Sequence, residues 1–199
     1  MGIAVSRPIL IPIPDAPGDA DLVARAASGD RWSREMIYRR HANYLLGMTV
    51  RLMANRTEAE EVVQDTFVTA FEQLQALRNP ESLRAWLSQI AVSLVRRRMR
   101  RGRLLRLLGL DRGAEDATLQ ALAAPGLDAE GRAELYLLDR LLGGLRTELR
   151  IAWTLRRVDG LELVDVATYC KCSLATAKRR IAEVDVLVQK HRGELEGAS

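Results

Sequence analysis

The chain has 199 residues, enough for one large hydrophobic core or two small ones. Its aromatic content is only 5%, and Ala, Leu, Arg and Glu are abundant, which favours an all-α fold. The net charge is +4 and nearly all the basic residues are arginines, whose planar guanidinium groups suit phosphates and base edges, so the composition permits a nucleic-acid partner without requiring one.

Several classes of site are disfavoured. Two cysteines, Cys170 and Cys172, are too few for a disulfide framework or a four-ligand zinc site, which indicates a reducing, cytoplasmic location. No apolar run approaches the roughly 20 residues that cross a bilayer. His41 and His191 lie far apart in the sequence without clustered carboxylates. We therefore expect no metal, no cofactor, no membrane insertion and no enzymatic activity.

Helices are predicted after a flexible tail at residues 1–18. Asp19 is expected to cap a short first helix, and a second helix is expected from Trp32 to Met53. The third helix has the clearest pattern, because Thr57 and Glu60 match a capping box and apolar residues then recur at spacings of three and four. Its outer face is predicted to be acidic and carries Glu58, Glu61, Gln64, Asp65 and Glu72.

The fourth helix is predicted to begin after Asn79-Pro80, near Glu81 or Ser82. No acidic residue occurs from residue 82 to residue 110. Seven arginines, in contrast, are concentrated in a few turns of this helix. Such a run repels itself, so it is expected to share its surface with an anion. The seven are Arg96, Arg97, Arg98, Arg100, Arg101, Arg103 and Arg106.

The sequence from 107 to 132 is rich in Gly, Ala and Asp and is predicted to be a flexible linker. It separates two small helical domains, at residues 19–106 and 133–192. Residues 193–199 are expected to form a C-terminal tail.

The second domain has the pattern of a helix-turn-helix. Leu161, Val164 and Ala167 are expected to face inward from the first helix, and Lys171–Ser173 is predicted to be a tight turn in which Ser173 caps the next helix. On that helix the polar face offers Arg179 to guanine and free backbone N–H groups to phosphate. The predicted DNA-binding residues are Ser173, Ala175, Thr176, Lys178, Arg179, Arg180 and Glu183.

Four stretches resemble the extracytoplasmic-function (ECF) group of bacterial sigma factors, over residues 19–192. They are Glu58-Ala59-Glu60-Glu61-Val62-Val63-Gln64-Asp65-Thr66-Phe67, Trp86-Leu87-Ser88-Gln89-Ile90-Ala91, Val158-Asp159-Gly160-Leu161 and Thr176-Ala177-Lys178-Arg179-Arg180. Their order and spacing are more specific than any one stretch.

The resemblance implies a protein that docks on core RNA polymerase and directs it to promoters. The third helix would bind the clamp helices of the largest subunit through Glu58, Glu61, Gln64, Asp65 and Val68. The flap of the second subunit would be a further contact, the free chain would be a monomer, and an anti-sigma factor would be a probable partner. The last helix would recognise the minus-35 element. The minus-10 element would be melted by the loop at 76–82 and bound by Asn79, Ser82, Arg84, Ser93, Arg96, Arg97, Arg100 and Arg101.

The chain departs from the family pattern at several positions. Val92 and Ser93 stand where the family usually has Arg-Asn, and Arg97 stands where it usually has aspartate. Ala175-Thr176-Ala177 replaces the usual Gly-Thr-Val. Lys171 occupies a turn position that is often glycine, at a cost of about 1 kcal/mol if its backbone is left-handed.

Two other functions remain open at this stage. A dimeric helix-turn-helix regulator would bind a palindromic site without polymerase. Alternatively, the stretch from Arg96 to Leu110 would serve as a basic amphipathic membrane anchor.

Overall fold

A computed structural model describes residues 17–108 and 129–196. These residues form helices and turns, with no strand among them, which confirms the predicted all-α fold. Two short 3₁₀ turns, Leu74–Ala76 and Pro80–Ser82, lie between the third and fourth helices. The α-helices are α1 (Asp19–Ala27), α2 (Arg31–Met53), α3 (Arg56–Glu72), α4 (Leu83–Leu107), α5 (Ala129–Gly144), α6 (Thr147–Arg157), α7 (Leu163–Tyr169) and α8 (Leu174–Glu196).

The predicted linker falls mostly outside the described residues, as do the N-terminal tail up to residue 16 and residues 197–199 of the C-terminal tail. The linker bounds need correction at both ends. α4 includes Leu107 and α5 begins at Ala129, so the first and last residues of the predicted 107–132 linker are helical.

Two predicted helix caps were wrong. α1 is preceded by Gly18 and has no side-chain cap. Asp19 instead accepts a hydrogen bond of 2.6 Å from Arg40 and lies 3.1 Å from Nε2 of His41. Two partners on α2 stabilise the Asp19 carboxylate more than a cap at an exposed helix end would. Asp19 therefore binds these partners and does not cap α1.

α3 begins one residue before the predicted capping box. Its cap is Asn55, whose side-chain oxygen accepts from the Glu58 N–H at 3.0 Å. Since Asn55 is the cap, Thr57 lies inside the helix. Glu60 pairs with Arg56 at 2.9 Å.

The N-terminal half of the structure, α1 to α4, has a core made by the apolar stripes of all four helices. The stripes predicted for α3 and α4 are confirmed, with Val62, Phe67, Leu83 and Leu87 at most 3% exposed. The largest fully buried side chains of the remaining two helices are Leu22, Ile37, Leu45, Met48 and Leu52.

The C-terminal half, α5 to α8, is organised by the packing of α6 and α7 on α8. Ile151, Leu155 and Val166 are fully buried within it. One predicted core residue was wrong, because Val164 is 64% exposed. α7 begins at Leu163, two residues later than predicted, and Val164 therefore lies in a first turn that faces away from α8.

The two halves are in contact with each other. α4 packs on α6 and α7, and α2 packs on α6. Ser88 and Val92 of α4 are fully buried, although neither was predicted to be in the core of its own domain. Within the described ranges, no helix combines the length and the apolar character that crossing a membrane requires.

Candidate nucleic-acid interface

The turn between α7 and α8 forms the predicted bend. Lys171 has a φ of 50°, so this non-glycine residue occupies the left-handed region. The N–H of Cys172 donates to the carbonyl of Ala167 at 3.0 Å, which satisfies the end of α7. Ser173 Oγ accepts from the Thr176 N–H at 3.2 Å and caps α8. The helix-turn-helix prediction is therefore confirmed at Lys171–Ser173.

α8 presents one buried face and one open face. Ala177, Ile181 and Val184 are at most 5% exposed. Lys178 and Glu183 on the open side form no ion pair within the described residues. The seven predicted minus-35 residues therefore lie around the first three turns of α8. Of them, Ser173, Ala175, Lys178, Arg179 and Glu183 are exposed, and Thr176 and Arg180 are half-buried.

The arginine cluster of α4, Arg96 to Arg106, is partly neutralised by carboxylates from other helices. Arg98 donates to Glu61 at 2.6 Å and to Asp65 at 3.1 Å, both on α3. The hydrogen bond to Glu61 is the main reason that the pKa of Arg98 is raised. The sequence predicted that negative charge would lie beside these arginines. Two carboxylates of the protein itself supply part of that charge, and both were also predicted to bind polymerase.

A second carboxylate partner comes from the C-terminal half. Arg100 donates to Glu148 at the start of α6 through both Nε, at 2.8 Å, and Nη2. Burial alone would raise the pKa of Glu148, but the hydrogen bond from Arg100 and the charges of Arg100 and Arg180 outweigh it, so the pKa lies below its usual value. Glu148 was not singled out from the sequence.

Arg96 also reaches across to the C-terminal half. Its Nη2 donates to the backbone carbonyl of Cys170 at 2.9 Å. Burial raises the pKa of the Cys170 thiol to about 11, which keeps it protonated and unreactive at neutral pH. The neighbouring Cys172 is half-buried, and both thiols are free.

Three other arginines of the cluster face solvent. Arg97, Arg101 and Arg103 are exposed, and none of them forms an ion pair within the described residues. These three side chains keep the positive surface that the sequence predicted.

The other predicted minus-10 residues lie near the start of α4. Asn79 accepts from the Glu81 N–H at 3.2 Å, and its carbonyl accepts from Ser82 Oγ at 2.7 Å. Arg84 is exposed and lies over the ring of Tyr44, 3.7 Å from its centroid, while Ser93 is half-buried. From Arg84 to Arg100 the helix rises about 24 Å. The predicted residues thus form a line along α4 rather than one pocket.

The predicted polymerase-binding residues lie along α3. Glu61, Gln64 and Asp65 are exposed, whereas Glu58 is half-buried. Gln64 lines a shallow cleft with Tyr38 and Leu46 of α2. Val68, one turn beyond Gln64, is 59% exposed.

Two further residues, Trp153 and His41, have structural partners. Trp153 is 7% exposed and donates to Asp185 at 2.9 Å. The buried His41 lies beside Asp19, and burial lowers its pKa. Among the described residues, no three side chains of His, Cys, Asp and Glu are grouped so as to hold a metal ion.

Comparison with known proteins supports the resemblance seen in the sequence. The family model for sigma-70 region 2 matches residues 37–104. The RNA polymerase sigma-H factor of Pseudomonas aeruginosa is 29% identical over 180 residues, which cover 86% of this chain and 92% of the relative. The ECF RNA polymerase sigma-E factor of Haemophilus influenzae is 27% identical, with 86% and 93% covered. The chain is thus similar to ECF sigma factors over most of its length.

Two solved structures, each of a protein in a complex, share the fold of this chain. CnrH, in complex with the cytosolic domain of CnrY, has a TM-score of 0.59 and 25% identity over 91% of this chain and 99% of the other. The sigma factor RpoE from Bartonella quintana, in complex with the anti-sigma factor NepR, has a TM-score of 0.58 and 23% identity over 78% and 94%.

The similarity to these relatives supports a transcription initiation factor rather than an enzyme. It also disfavours a dimeric regulator that acts without polymerase, because the resemblance covers both halves of the chain. The ECF resemblance inferred from the four sequence stretches is confirmed.

Sequence reasoning missed the contact surface between the two halves of the chain. Arg51 of α2 donates to Asp159, whose side chain is only 5% exposed. Burial raises the pKa of Asp159, although the charge of Arg51 opposes the shift. No local pattern could have revealed this pair, since its members lie 108 residues apart.

Proposed function

We propose that this sigma factor binds core RNA polymerase as a cytoplasmic monomer and directs it to promoters. Residues 19–106 act as region 2 and residues 133–192 as region 4. In region 2, α3 docks on the clamp helices of the largest subunit, and region 4 contacts the flap of the second subunit. The exposed Val68 on α3 and the cleft beside Gln64, which Tyr38, Leu46 and Val63 also line, support this role, because docking surfaces combine apolar contacts with a polar rim.

Region 2 also melts the minus-10 element. Flipping a base out of the duplex costs a few kcal/mol, which binding of the single strand must offset. In this proposal the turn at residues 76–82 binds the flipped base, and the arginines of α4 bind the phosphates beside it. The exposed Arg97 and Arg101 support this assignment.

Region 4 recognises the minus-35 element through α8. The observation that carries the proposal is the open N-terminal part of α8, which is capped by Ser173 and presents Arg179 and Glu183 one turn apart. Its free N–H groups bind phosphate, Arg179 binds guanine and Glu183 accepts from cytosine.

An anti-sigma factor is the proposed regulatory partner. The support is a structural neighbour, the sigma factor from Bartonella quintana, which is in complex with the anti-sigma factor NepR.

The decisive experiment is capture of purified core polymerase by the tagged chain, followed by run-off transcription. Val68→Glu should weaken capture more than Val186→Glu does, since Val186 of α8 has a similar exposure of 65% but lies outside the contact with the clamp helices assigned to α3. Failure of the wild-type chain to bind core polymerase would overturn the proposal. A stable dimer that binds a palindrome unaided would instead support the regulator. The membrane anchor has less support, because Arg96, Arg98 and Arg100 have protein partners.

A further inference from the structure

Arg98 differs from its neighbours in the arginine cluster in the direction that it faces. It follows Ala91 by seven residues and Leu94 by four, which places all three on one side of α4. Ala91 is fully buried and Leu94 packs against the core. α4 packs on α3. Arg98 therefore extends from the packed side of α4 towards α3, whereas the adjacent Arg97 is exposed.

The Arg98 guanidinium group bridges two carboxylates of α3. Its Nη1 donates to Oε2 of Glu61 at 2.6 Å, and its Nη2 donates to Oδ2 of Asp65 at 3.1 Å. Glu61 and Asp65 are four residues apart on one helix, where like charges repel each other. A single arginine between them offsets this repulsion. It also holds both side chains in one arrangement, because the N–H groups of a guanidinium have fixed directions.

The bridge leaves one oxygen of each carboxylate available. Glu61 Oε1 and Asp65 Oδ1 have no hydrogen-bond partner within the described residues, and the two side chains are 56% and 53% exposed. Val68 lies three residues beyond Asp65 on the same face of α3. Two oriented oxygen atoms and one exposed apolar side chain thus lie together on the surface that we assigned to polymerase.

The bridge has two opposing effects on a basic partner. A flexible, exposed carboxylate must be ordered when it is bound, which reduces affinity, and a carboxylate already held by Arg98 avoids most of this loss. The positive charge of Arg98 also weakens the attraction of the partner to α3. Salt screens that second effect beyond about 8–10 Å. The orienting effect should therefore dominate.

We propose that Arg98 is a positioning residue for polymerase docking and not a DNA-binding residue. It orders Glu61 and Asp65, and leaves one oxygen of each free for basic groups of the clamp helices. The inference rests on the proposed function, since it assumes that α3 binds those helices. It also divides the arginine cluster, because Arg98 serves α3 whereas Arg97 serves DNA.

The first test measures capture of purified core polymerase by the tagged, full-length chain. Arg98→Gln should raise the Kd about three- to tenfold, because two side chains then have to be ordered on binding. The matched control is Arg25→Gln, which removes the same charge and breaks an exposed ion pair of 3.2 Å with Asp30. It should leave the Kd unchanged. An unchanged Kd for Arg98→Gln would overturn the proposal, and a lower one would mean that Arg98 competes with polymerase for the carboxylates.

Two further variants separate positioning from charge and from folding. Arg98→Lys keeps the charge but lacks the planar fork, so it should restore only part of the affinity. Full restoration would show that charge alone is sufficient. In a Glu61→Gln, Asp65→Asn background, Arg98→Gln should weaken capture no further. A further loss there would mean that Arg98 acts through the stability of the helices. Either result would overturn the positioning role.

The last test measures the salt dependence of promoter binding by holoenzyme, at concentrations of the chain that saturate core polymerase. Arg98→Gln should leave the slope of log K against log salt unchanged, whereas Arg97→Gln should lower it by about one. A lower slope for Arg98→Gln would mean that Arg98 contacts a phosphate, and would overturn the assignment. Failure of the proposed function has a different result, in which the wild-type chain does not bind core polymerase.

Discussion

Asp185 fixes α8 on α6, and we predict that Asp185→Ala lowers the free energy of unfolding by about 2–3 kcal/mol. Asp185 accepts from Trp153 Nε1 at 2.9 Å and from Arg157 at 3.0 and 2.6 Å. The indole is 93% buried, since Trp153 is 7% exposed. Leaving its N–H unpaired costs about 1–3 kcal/mol. The Arg157 side chain is 50% exposed, so its ion pair adds only about 0.2–1 kcal/mol.

Urea unfolding followed by circular dichroism measures this difference. Arg157→Ala is the matched control, because it removes the exposed ion pair and leaves the hydrogen bond to Trp153 intact. We expect it to cost less than about 1 kcal/mol. Asp185→Ala should also cost less in a Trp153→Phe background, which has no indole donor to leave unpaired. Equal losses in Asp185→Ala and Arg157→Ala would refute the reasoning.

The same prediction has a pH dependence. The hydrogen bond from Arg157, helped by that from Trp153, holds the pKa of Asp185 below its usual range. An acid with a depressed pKa in the folded state contributes stability above its unfolded pKa, about 3.9, and loses it as the pH falls through the folded pKa. The difference between wild type and Asp185→Ala should therefore be constant at neutral pH and shrink below about pH 4.

Three further predictions concern DNA and the turn. Arg179→Ala should reduce discrimination at one minus-35 position by about 1–3 kcal/mol, measured by competition between single-base variants of the site. Arg97→Ala and Arg101→Ala should instead weaken binding of all sequences alike and lower the slope of log K against log salt by about one each, measured by anisotropy titrations. Lys171→Gly should raise the free energy of unfolding by up to about 1 kcal/mol, since Lys171 has a φ of 50°. No stabilisation in thermal or urea unfolding would contradict it.

The helix-turn-helix was predictable because its signals are local. Ser173 and the apolar positions of α8 are separated by only a few residues, so capping and helical periodicity determine both the start of α8 and its buried face. The same short turn contains Lys171, whose backbone is left-handed. Five of the seven predicted minus-35 residues are exposed for the same reason, since an amphipathic helix that buries one face must expose the opposite one.

The sequence predictions were wrong where two local patterns both indicated a helix start. They were incomplete where a residue distant in sequence supplies the partner of a side chain. Asn55 and the Thr57–Glu60 box both resemble helix starts, and the structure uses Asn55. Val164 was assigned to a stripe with Leu161 and Ala167, but α7 buries Val166, Ala167 and Tyr169, and this stripe leaves Val164 on the outer face. The carboxylates that neutralise Arg98 and Arg100 come from α3 and α6, and sequence spacing gives no distance between separate helices.

One feature of α4, the width of its buried arc, nevertheless reflects the contact between the halves. At about 100° per residue, a helix that packs on a single neighbouring layer needs an apolar arc of little more than about 100°. The buried positions from Leu83 to Val95 include Ser88 and Val92 and extend over about 180°, which is too wide for the N-terminal core alone. A second covering surface was therefore implied by the sequence of α4. The sequence did not show which residues form this second surface. The residues that cover Ser88 and Val92 belong to α6 and α7, beyond a stretch with no helical pattern.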